Sequence, residues 1–122
     1  MHGENNYPLK KEQSDLDIPL PDGTCDQDYL YALKEGFNEI LNDFSPDFMF
    51  YQCGVDVLQT DKLGRLALTK KACMERDEFV FETAKLLSIP IVCTMGGGYS
   101  PDIMDIVEAH ANTFRIARRL FV

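Results

Sequence analysis

Basic side chains are scarce in this chain: 12 Lys and Arg stand against 20 Asp and Glu, a formal net charge of −8. A nucleic-acid backbone and an anionic membrane are therefore not expected as partners, since both gain from counterion release by a basic patch. The acidic excess suits cationic substrates or simple solubility. Cysteine pairs are missing as well. Cys25, Cys53, Cys73 and Cys93 stand singly with no Cys-x-x-Cys, which argues against a cysteine zinc knot and a thioredoxin-like redox motif. Four reduced thiols are expected, with Cys53 and Cys93 as small core residues. No apolar run approaches the roughly 20 residues of a bilayer span, and the start has no signal-peptide pattern, so a cytoplasmic protein is expected. There is no internal repeat or low-complexity tract, and 122 residues at 45% hydrophobic suit one domain.

What is present is a strand-and-helix alternation. Phe48-Met49-Phe50-Tyr51 is an unbroken apolar run after Pro46, of the kind buried on both faces of a parallel sheet. Ile89–Met95 reads as a second such strand and opens into Gly96-Gly97-Gly98-Tyr99. Before them, Leu16, Ile18 and Leu20 alternate as an edge strand or core-hugging segment would, and Thr24–Gln27 reads as a capping box opening a helix to about Asn42. Tyr29, Leu30, Leu33, Phe37, Ile40, Leu41 and Phe44 give that helix its apolar stripe. Thr69 is the expected cap of a second helix through Leu87, with Cys73, Phe79, Val80, Ala84 and Leu87 inward and Glu75, Arg76, Asp77 and Lys85 solvated. Ser100-Pro101-Asp102 opens a third, with the Ser100 hydroxyl as cap and Ile103, Ile106, Val107, His110, Phe114, Ala117 and Phe121 on one side. Two strands joined by a crossover helix make a βαβ unit, so an α/β fold with a parallel sheet is expected. Two parallel strands leave both edges unpaired, so the chain reads as part of a larger sheet.

In an open α/β sheet, ligands bind outside the carboxyl ends of the strands. Asp56 and Tyr99 both emerge there. Taken singly, Asp56 also fits a cap, a turn or a salt bridge, Asp61 a turn residue, and His110 a hydrogen-bonded core histidine. His2 lies too near the terminus to interpret. The glycines fit a tight turn or an anion cradle, although neither G-x-G-x-x-G nor the Lys-Ser/Thr of a P-loop is present.

The strings Pro46–Leu58, Asp61-Lys62-Leu63-Gly64-Arg65-Leu66, Leu68-Thr69, Arg76-Asp77-Glu78 and Gly96-Gly97-Gly98-Tyr99 resemble the C-terminal part of zinc-dependent histone deacetylases. Arg76–Phe81 looks most like the class IV branch and its bacterial relatives, and Leu20–Thr24 with Asp28-Tyr29-Leu30 matches the stretch ahead of the corresponding helix. The resemblance implies residues 1–122 of a single deacetylase-like domain in the arginase/deacetylase α/β fold, a three-layer parallel sheet with flanking helices. It implies a zinc ion, Asp56 as one of its two aspartate ligands, Tyr99 as the phenol that stabilises the oxyanion, and Leu63 and Gly97 in the acyl channel. The implied partner is an acylated lysine or acyl-amine substrate. A carboxylate suits zinc and a phenol suits a developing oxyanion.

The family's paired histidines and its Asp-x-His segment have no counterpart here, since His2 and His110 are single and far apart. The expectation is therefore a C-terminal portion, inactive alone. Two readings compete with it: a noncatalytic module that pairs through an exposed sheet edge, and a small anion-binding protein built on Gly96–Gly98.

Overall fold

The computed structural model describes residues 1–122 in the order β1 (His2–Gly3), β2 (Pro19–Leu20), α1 (Asp26–Asp43), β3 (Met49–Gln52), α2 (Lys70–Leu86), β4 (Ile91–Thr94) and α3 (Ile103–Phe121). β3 and β4 pair in parallel with Met49 opposite Ile91 and Gln52 opposite Thr94, joined by α2 as the crossover. β1 and β2 form a second, shorter parallel pair, with Leu20 opposite Gly3. The alternation at Leu16–Leu20 thus ends in a paired strand. No helix is long and apolar enough to cross a membrane.

The core forms where the loops after β3 meet the helices. Leu20, Tyr29, Val55, Leu58, Leu66, Leu68, Ala72, Cys73 and Ala109 make one buried cluster, with Val55 and Leu68 fully enclosed. Aromatic edges join the helices: Phe37 of α1 meets Phe79 of α2 at 5.4 Å, and Phe81 of α2 meets Phe121 of α3 at 6.0 Å. All four cysteines are free, with Cys53 buried and Cys93 partly exposed. Burial pushes the Cys73 thiol up to about 11, so it stays protonated at neutral pH.

Helix starts depart from expectation in two cases of three. The Thr69 hydroxyl caps α2 as its sequence suggests, accepting from the Ala72 amide at 3.1 Å. The Asp26 carboxylate accepts from both the Thr69 amide (2.8 Å) and hydroxyl (2.7 Å), which fastens the first turn of α1 to the start of α2. Thr24 does not cap α1. It closes a turn with Pro21, to whose carbonyl both its amide and its hydroxyl donate, and Cys25 occupies the cap without a side-chain bond. At α3 the cap is Asp102, accepting from the Met104 amide at 2.9 Å, while Ser100 is hydrogen-bonded to Thr60 instead.

Side-chain placement departs further. Alternation along β3 sends Met49 and Tyr51 toward α2 and Phe48 and Phe50 to the opposite face. That face carries no layer: Phe50 is 80% exposed and its neighbour Val92 is also exposed. The expected burial on both faces is therefore met in part on one, where Met49 and Tyr51 are half-buried. α3 buries Ala109, His110, Asn112, Thr113 and Ile116, a strip rotated from its most apolar one, and leaves Ile103, Val107 and Phe114 in water. His110 is buried as expected, but its Nδ1 has no hydrogen-bond partner. On α2, Arg76 and Asp77 lie in the interior rather than in solvent.

Candidate active site

The parallel pairing of β3 and β4 continues beyond the strands and sets the site. The Cys53 amide donates to the Thr94 carbonyl and the Val55 amide to the Gly96 carbonyl, each at 3.0 Å, which lays the glycine loop beside Asp56. Gly97 has φ +61° and packs directly on that carboxylate; a β-carbon there would stand 2.5 Å from Asp56 Cγ. Only glycine satisfies both the backbone angle and the space. The same contact weighs against an anion cradle, since a carboxylate already faces the loop.

Asp56 is half-buried, and burial pushes its pKa above the ordinary aspartate value, with the negative charge of Asp61 adding to the shift. It opens onto a cleft of about 410 Å³ shared with His2, Gln52, Gly64, Arg65 and Arg76. Leu63 and Tyr99 lie outside that cleft, 63% and 52% exposed. Asp56 and Gly97 are thus in contact, while the Tyr99 and Leu63 side chains face solvent.

Asp61, readable in the sequence only as a turn residue, bridges the two loops. Its Oδ1 accepts from the Leu63 and Gly64 amides at 2.8 and 2.7 Å, and its Oδ2 from the Tyr99 amide at 2.6 Å. Beside it, the Thr60 and Ser100 hydroxyls are 2.7 Å apart.

Beneath the site lies a charged cluster. Arg76 donates from Nη1 to the Gly54 carbonyl (2.7 Å) and from Nε to Asp77 Oδ1 (2.9 Å). Its Nη2 is also 2.9 Å from Asp77 Oδ1, as an ion pair without hydrogen-bond alignment. Asp77 accepts from the Tyr51 hydroxyl at 2.5 Å and the Thr113 hydroxyl at 2.6 Å. One buried pair thereby ties β3, α2, α3 and the peptide two residues before Asp56. The sequence held a signal for this: Asp77 falls four residues after Cys73 and three and four before Val80 and Phe81, squarely on the stripe of α2.

A catalytic zinc takes three protein ligands. Nowhere in the chain do three His, Cys, Asp or Glu side chains come together to hold a metal, so the residues present do not fit a complete zinc site. Asp56 is one carboxylate suited to such a role.

The histone deacetylase domain model matches residues 2–114. An uncharacterized Picosynechococcus protein is 39% identical over 121 residues, covering 99% of this chain and 40% of the relative. Histone deacetylase 2 of Arabidopsis thaliana is 34% identical over 85 residues, 70% of this chain and 22% of its own. Among solved structures, an HDAC homolog from Aquifex aeolicus superposes with a TM-score of 0.78 at 22% identity, over 96% of this chain and 33% of its own. An HDAC homolog complexed with SAHA superposes at 0.73 and 23% identity, over 96% and 32%. The two solved neighbours carry the arginase/deacetylase fold. The chain spans two fifths or less of each of these proteins. With its model matched across nearly the whole sequence, this chain belongs to the histone deacetylase family.

Proposed function

We propose that this chain forms the Asp56 and Tyr99 side of a zinc-dependent deacylase site that hydrolyses an acyl-lysine or similar acyl-amine amide. The observation that carries the reading is the contact of Gly97 with the Asp56 carboxylate, which joins the two strand-end loops at one place. Asp56 serves as one zinc ligand and needs two more from outside these 122 residues. Tyr99 donates its phenol to the developing oxyanion, and Leu63 and Gly97 line the acyl channel. The chain alone neither holds zinc tightly nor cleaves an acyl-lysine peptide.

The test is a chimera in which this chain replaces the corresponding 40% of its Picosynechococcus relative. Deacylation by the chimera, abolished by chelation and reduced on the order of 100-fold or more by Tyr99→Phe, is the expected result. Robust hydrolysis by the 122-residue chain without the rest overturns the claim of incompleteness. A zinc-free chimera with undiminished activity overturns the metal role of Asp56.

The two-stranded β3–β4 sheet, with one edge of each strand unpaired, supports a second reading, a noncatalytic module that pairs through an exposed sheet edge. A stable homodimer of the chain with no metal requirement, measured by sedimentation, favours that reading over the first.

A further inference from the structure

We infer that Asp61 is a positioning residue that sets the Tyr99 backbone relative to Asp56. Its role in catalysis rests on the deacylase reading; the fastening itself does not. One carboxylate gathers three amides from two loops, those of Leu63 and Gly64 on one oxygen and that of Tyr99 on the other. Hydrogen bonds to an ionised acceptor are the strong kind. Gly64 carries the link onward. A β-carbon on it would collide with the Asp56 carbonyl oxygen, so the peptide that Asp61 grips lies flush against the backbone of Asp56. The path from Asp56 to Tyr99 therefore runs Asp56 carbonyl, Gly64, Asp61 carboxylate, Tyr99 amide, and it crosses 38 residues of sequence in one side chain.

A local turn would explain only the half of this arrangement that faces Leu63 and Gly64. An aspartate that merely closes its own loop has no need of an amide from beyond β4. The chemistry also separates aspartate from asparagine. Both carboxylate oxygens face N–H donors, and an amide group offers one acceptor and one donor. Asp61→Asn therefore sets an NH₂ against an N–H on one side or the other, and Asp61→Ala removes all three contacts.

Residue-resolved amide exchange on the 122-residue chain tests the fastening. In Asp61→Asn and Asp61→Ala the Tyr99 amide is expected to exchange at least about 10-fold faster, while Val80 and Phe81 in α2 keep their protection. Tyr99 exchange unchanged in both variants overturns the inference. If Asp61→Ala loses protection everywhere, the unsubstituted chain decides: a cross-hydrogen-bond coupling between the Tyr99 amide nitrogen and the Asp61 carboxyl carbon supports the fastening, and its absence overturns it. In the chimera, Asp61→Asn is expected to lower kcat about 10-fold or more with KM within about 2-fold, as for a misplaced group at a reacting centre. An active chimera with kcat unmoved by Asp61→Asn overturns the positioning role. An inactive unsubstituted chimera whose Tyr99 amide is protected overturns the deacylase reading and leaves the fastening standing.

Discussion

On one side of β3–β4, Tyr51 packs edge-on against Phe81 at 5.9 Å and donates to a carboxylate that is wholly buried. On the other, the Phe48 and Phe50 rings lie 5.1 Å apart with Val92 beside Phe50, and all three side chains are exposed. Both sides carry large aromatic rings, Tyr51 with a hydroxyl and Phe48 and Phe50 without, and a covering helix lies on one side alone. Apolar character marks a side chain that can be buried, and the cover is a separate matter of what packs there. Parallel sheets are ordinarily covered on both faces. The bare side of β3–β4 departs from that rule.

The largest effect should come from the covered side. Asp77→Ala leaves Arg76 as an unpaired buried charge and takes an acceptor from Tyr51 and Thr113. A loss of about 3–5 kcal/mol is expected in chemical denaturation, enough to unfold a small domain. A loss below about 1 kcal/mol would mean that the cluster is not what holds this face. Tyr51→Phe removes one donor from Asp77 while keeping the ring, and should cost about 1–3 kcal/mol by the same measurement.

At the end of the strand the sign reverses. The Asp56 carboxyl has its pKa raised in the fold, so ionisation costs the folded state, and stability should grow as pH falls through that raised value. Asp56→Asn should accordingly raise the melting temperature of the chain at pH 7, by no more than about 4 °C, and remove that part of the pH dependence. A lowered midpoint would show that the ionised carboxylate is stabilised by contacts other than those described. Smallest of all should be Phe50→Ser on the bare side, within about 0.5 kcal/mol in the chain alone. A large loss there would mean that the face is already covered, by a second copy or otherwise.

The helices and the β3–β4 pair were legible, and β1 was not. Periodicity and punctuation placed α1 and α2 to within a residue or two, and the apolar runs gave β3 and β4 with their parallel crossover. What escaped was decided in three dimensions. Thr24 had the right residue type for a cap, but the Pro21 turn claims its hydroxyl. Ser100 lost the cap of α3 to Asp102 because Thr60 holds it from another loop. Arg76 and Asp77 look solvated by type, and only the stripe position of Asp77 pointed inward. Asp56 and Tyr99 stood out in the sequence through their places after the strand ends and within stretches that resemble the family. Asp61, whose importance lies in an amide 38 residues away, had no local signature beyond a turn.

Asp26 grips the capping residue of α2 with both carboxylate oxygens, so α1 and α2 share one knot at their starts. Fraying at either end loosens the other. Their opening turns should breathe together as one cooperative unit, and a protease or deuterium solvent that reaches one will find the second at the same opening free energy.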